Sequence, residues 1–254
     1  MSKHLYIITG ASRGMGLALA EQLIVSGNQL LCISRQANAS LQARADKSNV
    51  SLTQMQLDLS NSISAAQELR NWLALPANSV GSFTSATLIN NAGVIANIGP
   101  LSDADPIDLS NALRVGLEAP MQLTAVFLKC TETWAMPKKV LNISSGLGRR
   151  ALASQAAYCA AKAGMDHYTR SVALDEALKT NGAKVCSLAP GVIDTDMQIQ
   201  LRSATDQNFP DKAGFVAMKE KGQLSSPEQA AAKLIAYLNR ADFGTSPVAD
   251  VRDA

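Results

Sequence analysis

The chain has 254 residues, enough to bury a sizeable core as one large domain or two small ones. Hydrophobic residues make up 47% and the formal net charge is +2, which argues against disorder and gives no basis for a nucleic-acid or anionic-membrane partner. Cys32, Cys130, Cys159 and Cys186 are scattered, with no C-x-x-C pair and no His at metal spacing, so reduced, mostly buried thiols, no metal site and a cytoplasmic location are expected.

The apolar run Leu5-Tyr6-Ile7-Ile8 is too short for a signal peptide, and no stretch is long enough to span a bilayer, so no membrane partner is expected. Strands are predicted at Leu5–Thr9, Gln29–Ile33, Ser51–Leu57, Ala86–Asn90, Val140–Ile143, Lys184–Leu188 and Pro247–Val251. Helical patterns fill 14–26, 37–46, 61–74, 103–133, 154–180 and 226–239. Continuous apolar strands alternating with helices predict one α/β domain over 1–254, a doubly wound parallel sheet of about seven strands covered on both faces. Segment 196–225 carries Met197, Leu201, Phe209, Phe215 and Met218 among polar residues and breakers, and reads as a substrate lid or short helical hairpin.

The first strand runs into Thr9-Gly10-Ala11-Ser12-Arg13-Gly14-Met15-Gly16 and then a helix. Gly10 permits the tight turn, Gly14 lets backbone approach a pyrophosphate, and Gly16 lets the helix pack close to the sheet. The second strand ends at Ile33-Ser34-Arg35 with no acidic residue for a ribose 2′-hydroxyl. Arg35 and Arg13 would flank a 2′-phosphate instead, which favours NADP(H) over a reading of both as solvated surface residues. Asp58 and Leu59 end the third strand, where Asp58 is placed to meet an adenine amino group or to cap the next helix. Asn91, Ala92 and Gly93 end the fourth, where small and polar residues pass beside adenosine and ribose.

Tyr158 and Lys162 are four apart in a helical stretch and share one face. A free tyrosine, with a pKa of about 10, is a poor acid–base group at neutral pH, and a nearby ammonium favours its phenolate. Tyr158 then exchanges a proton with a carbonyl or alcohol oxygen, and Lys162 also holds ribose hydroxyls. Ser145 ends the fifth strand, where its hydroxyl can polarise the same oxygen.

In order, TGASRGMG at 9–16, NNAG at 90–93, Ser145, YCAAK at 158–162 and Pro190-Gly191 followed by Thr195 resemble the short-chain dehydrogenase/reductase family over nearly the whole chain. The resemblance implies a Rossmann-like fold, a nicotinamide cofactor, Ser-Tyr-Lys chemistry, a homodimer or homotetramer, and contact of Pro190, Gly191, Ile193 and Thr195 with the nicotinamide end. One departure stands out: many members carry a catalytic Asn in the helix after NNAG, where this sequence has Gly116. Within the family the chain looks most like the sepiapterin reductase and benzil reductase subgroup, through Ala119-Pro120-Met121 and the ending Val248–Asp253. That likeness implies a substrate anchor at Asp250.

Val94, Ile95, Leu147, Leu152, Ile193 and the lid residues form a largely apolar candidate pocket. Ser145, Leu147, Leu152, Tyr158, Met197 and Asp250 are therefore expected to meet a small-molecule carbonyl substrate, a ketone or vicinal diketone, reduced by NADPH. The alternatives are a non-catalytic NADPH-binding sensor, suggested by Gly116, and an NAD-linked alcohol dehydrogenase, disfavoured by Arg13 and Arg35.

Overall fold

Runs of Val, Ile and Leu bounded by turn residues form the strands of a single parallel sheet. The computed structural model describes residues 3–79 and 81–253, so the outermost ends of the expected 1–254 span lie outside the described residues. The strands are β1 (His4–Thr9), β2 (Asn28–Ser34), β3 (Ser51–Gln56), β4 (Ser85–Asn90), β5 (Lys138–Ile143), β6 (Lys184–Ala189) and β7 (Val248–Asp250). They lie in the order β3-β2-β1-β4-β5-β6-β7. The helices are α1 (Gly14–Leu23), α2 (Ala39–Lys47), α3 (Ser62–Leu73), α4 (Pro106–Leu113), α5 (Ala119–Cys130), α6 (Ala156–Ala177), α7 (Asp196–Ser203), α8 (Lys212–Glu220) and α9 (Pro227–Leu238).

Side chains alternate across the strands and divide the core in two. Ile8, Leu30, Cys32, Ile89, Leu141 and Leu188 meet α1, α2 and α9 on one face. Leu5, Ile7, Leu31, Ile33, Leu88 and Val140 meet α3 and α5 on the other. Both faces of the central strands are buried, which is why they read as unbroken apolar runs. The order reverses between β1 and β4, and in such sheets a ligand crevice opens beyond the carboxyl ends at that point.

The helix expected over 103–133 differs. It starts only at Pro106, with Asp105 capping through the Ile107 N–H, and a π-helical turn over Arg114–Glu118 interrupts it. Pro120 explains the interruption: it lacks the N–H that would close onto Gly116, and its ring crowds that carbonyl. The Ala119 N–H bonds five residues back to Arg114 instead. Segment 196–225 forms the helical hairpin α7–α8, closed at its base by a parallel bridge between Ile193 and Ser225. Among the described residues no helix is long and apolar enough to cross a membrane, and all four cysteines are free.

Candidate active site

The crevice is a cleft of about 1140 Å³ running from the glycine turn to the lid. At one end Gly10 has φ +69° and Gly14 φ +54°, left-handed conformations that glycine adopts without strain. A Cβ at Gly10 would meet Ala92 Cα and Asn91 Nδ2 at 3.0 Å, whereas above Gly14 only Thr195 Cγ2 comes within 4.0 Å. The backbone is therefore open to a ligand at Gly14. Gly16 does not line the cleft; a Cβ there would lie 2.1 Å from the Gly10 carbonyl, so this glycine is what lets α1 sit against the turn. Arg13 precedes α1 without capping it, and no acidic residue stands in its first turn, leaving its N–H groups to an anion.

The turn is held from two sides. Thr9 Oγ1 accepts from the N–H groups of Asn91 (3.0 Å) and Ala92 (2.9 Å), and Asn91 Nδ2 donates back to the Thr9 carbonyl at 2.9 Å. Asn38 Nδ2 donates to the Ser12 carbonyl at 3.0 Å. Ser12, Met15, Asn91, Ala92 and Gly93 all line the cleft.

Beyond β2, Arg35 lies exposed on the cleft wall with Asp58 and Leu59 opposite. The Ser60 N–H and hydroxyl, with Arg35 further off, hold the Asp58 carboxyl below its ordinary range. The cap of α3 is Asn61, not Asp58. Arg13 shares this end but pairs with Asp196, the first residue of α7, at 2.9 Å. No acidic side chain stands at the end of β2. The open glycine turn, the free helix N-terminus and two guanidinium groups fit a dinucleotide carrying an additional phosphate on its ribose.

At the other end the cleft gathers Ser145, Tyr158 and Lys162. Ser145 Oγ accepts from the Leu147 N–H at 3.2 Å, which shapes the turn after β5. Lys162 is buried, with Nζ donating to the Ile143 carbonyl at 2.7 Å and lying 5.6 Å from the Tyr158 ring centroid. Burial pulls its ammonium down to about 8, and Asp166 opposes that shift. The expected depression of the Tyr158 phenol is not met. Burial pushes it above its ordinary value and the Ser145 hydroxyl only partly offsets this, because Lys162 faces the ring and a carbonyl rather than the phenol oxygen.

Val94, Ile95, Leu147, Met197, Leu201 and Phe215 line the remaining wall, as do Pro190, Gly191, Ile193 and Thr195. Three expected pocket residues do not. Phe209 is fully buried against Phe215, their rings 5.2 Å apart, and forms the core of the lid; Leu152 and Met218 also lie off the cleft. Asp250 is a further correction: it is buried and its carboxylate takes two bonds from the Arg252 guanidinium, at 2.8 and 2.6 Å. Its charge is already matched, and Arg252 is the one that reaches the cleft.

Sequence reasoning missed Asn111, Arg150, Gln155 and Asp196, which add polar groups to the wall. Asn111 stands one helical turn before Val115, and the two share the face of α4 and the wide turn that meets the cleft; no pattern in the sequence marks that face.

A family model described as short chain dehydrogenase matches residues 4–206. The chain is 35% identical to a benzil reductase ((S)-benzoin forming) of Bacillus cereus, over 93% of this chain and 94% of that one. It is 30% identical to a sepiapterin reductase of Meriones unguiculatus, over 97% and 95%. A crystal structure of a short-chain dehydrogenase/reductase from Burkholderia vietnamiensis is 32% identical and superposes with a TM-score of 0.64, covering 98% of this chain and 97% of that one.

Proposed function

The chain belongs to the short-chain dehydrogenase family, and on that footing we propose that it is an NADPH-dependent carbonyl reductase acting on a ketone or vicinal diketone. The observation that carries this reading is one continuous cleft with Arg13 and Arg35 at one end and Ser145, Tyr158 and Lys162 at the other. The benzil reductase and sepiapterin reductase relatives suggest a dicarbonyl or a carbonyl on a flat ring system, which suits the apolar wall of Val94, Ile95, Leu147, Met197 and Phe215.

When bound, the dihydronicotinamide supplies the hydride. The chain's part is to position and to move one proton. Gly10, Ser12, Gly14 and Met15 hold the phosphates, Arg13 and Arg35 the 2′-phosphate, and Asp58, Leu59, Asn91, Ala92 and Gly93 the adenosine side. Pro190, Gly191, Ile193 and Thr195 border the nicotinamide end. Ser145 Oγ donates to the substrate oxygen as it gains negative charge. Tyr158 Oη gives that oxygen its proton, and the Lys162 ammonium, 5.6 Å from the ring centroid, acts on the phenolate left behind through space rather than by a bond to its oxygen.

The test is NADPH oxidation with benzil, 1-phenyl-1,2-propanedione and sepiapterin, with NADH in parallel. Turnover with NADPH well above NADH is expected; tight NADPH binding without turnover of any carbonyl would favour the sensor reading. We further propose a homodimer or homotetramer in the cytoplasm. Ile107 on α4, Met121 on α5, Leu174 on α6 and Leu178 just after it are exposed large apolar residues that a second copy would cover. A monomer by light scattering would refute the assembly.

A further inference from the structure

Behind the Ser145–Tyr158–Lys162 cluster lies a buried carboxylate that the chemistry so far leaves unused. Asp166 follows Lys162 by four residues and Tyr158 by eight on α6, so the three share one helix face. Only 1% of it is exposed. Oδ1 accepts two hydroxyl bonds, from Ser144 at 2.5 Å and from Ser187 at 2.6 Å. Oδ2 has no hydrogen-bond partner among the described residues and faces Arg149 Nε at 3.7 Å. A Cβ at Gly148 would stand 2.8 Å from Oδ2, so this glycine is what allows the loop to pass over the carboxylate.

Burying a carboxylate is costly unless it is paired and hydrogen-bonded, and here its partners sit on both sides of Ser145. Ser144 precedes it; Arg149 closes the loop that follows. Ser187 ties in the neighbouring strand β6. We propose that Asp166 is a positioning residue of the reaction. Through Ser144 and Arg149 it clamps both flanks of Ser145 onto the helix carrying Tyr158 and Lys162, and it supplies the counter-charge for the Lys162 ammonium. This role rests on the Ser145–Tyr158–Lys162 reading above.

The titratable and charged groups around Asp166 are Lys162 on its own helix, Arg149 on the loop and Cys186 on β6. Those facing Lys162 are Asp166 and Tyr158. Desolvation draws Lys162 toward neutrality, and the Asp166 carboxylate, one turn along the same helix face, opposes part of that shift.

The test compares wild type with Asp166→Asn and Ser144→Ala. Asp166→Asn keeps a carbonyl for the two hydroxyls but removes the charge. The Lys162 titration, followed by NMR of side-chain-labelled lysine in the cofactor-free protein and assigned with Lys162→Met, is expected to move down by about one pH unit. The alkaline limb of kcat/KM should move with it. Ser144→Ala frees one flank of Ser145 without removing charge: kcat is expected to fall about 10-fold, with NADPH affinity and the pH limb unchanged. An unmoved Lys162 titration in Asp166→Asn, or wild-type kcat in Ser144→Ala, overturns the proposal. If Asp166→Asn does not fold, the Ser144→Ala result decides. A wild-type protein inactive on every carbonyl would sink the reductase reading alone, because the lysine titration is read on the free protein.

Discussion

Arg13 of the glycine turn donates to Asp196 of the lid at 2.9 Å, so the loop that would hold phosphate and the helix that would cover substrate are joined by one ion pair. Both side chains are 69% exposed, and such a pair contributes little to folding. Its interest lies in competition: a 2′-phosphate and Asp196 would draw on the same guanidinium.

Arg13→Ala and Arg35→Ala should each lower the preference for NADPH over NADH, about 10-fold, the loss expected for one charge-assisted contact. Asp196→Asn should instead leave the melting temperature within about 2 °C of wild type, in line with an exposed pair. KM values for both cofactors and thermal melts check this. An unchanged cofactor preference in both arginine variants would remove the argument for NADPH.

Tyr158→Phe should reduce kcat by about 10²- to 10⁴-fold, the usual worth of a positioned acid, while NADPH still binds with near wild-type affinity by fluorescence titration. Full activity would refute the proton-donor role.

The Lys162 ammonium is held near 8 by burial, so it is charged below that pH and neutral above. Because only the charged form favours the phenolate, kcat/KM should fall as pH rises through about 8. A profile flat to well above that value would show that the ammonium is not needed.

At Gly116, a Cβ would stand 3.1 Å from the Cβ of Ala161, the residue before Lys162. Overpacking by Gly116→Ala costs about 1–3 kcal/mol, of which the better helix propensity of alanine returns about 1 kcal/mol, so a net loss of at most about 2 kcal/mol is expected. Ala161→Gly in the same chain should recover part of that loss, so the double variant is less destabilised than the two single losses combined. Additive losses in urea unfolding would mean that the two helices do not press together there.

The parallel sheet was legible because its central strands are covered on both faces and carry unbroken apolar runs. The glycine turn and Tyr158–Lys162 were legible because their chemistry is written in spacing along one local element. What lay beyond reach was side-chain partnership across the sheet. Asp250 is a different case: its partner Arg252 is only two residues away, but spacing alone does not say that the guanidinium folds back onto the carboxylate. Nothing in the sequence around Asp166 points to Ser144 and Ser187, which lie on two other elements. Apolar periodicity passed through 114–118 without a break, and only Pro120 hinted at the wider turn.

That wider turn at Arg114–Glu118 acts as a one-residue shim between two helices that would otherwise be one. Each residue advances an α-helix by about 100°, so one extra residue wound into a regular spiral would rotate one half against the other, and the wide turn takes it up locally instead. Otherwise Asn111 and Val115 would swing off the cleft wall, or the buried face of α5 would leave the sheet. The segment therefore tolerates changes of side chain far better than a change of length.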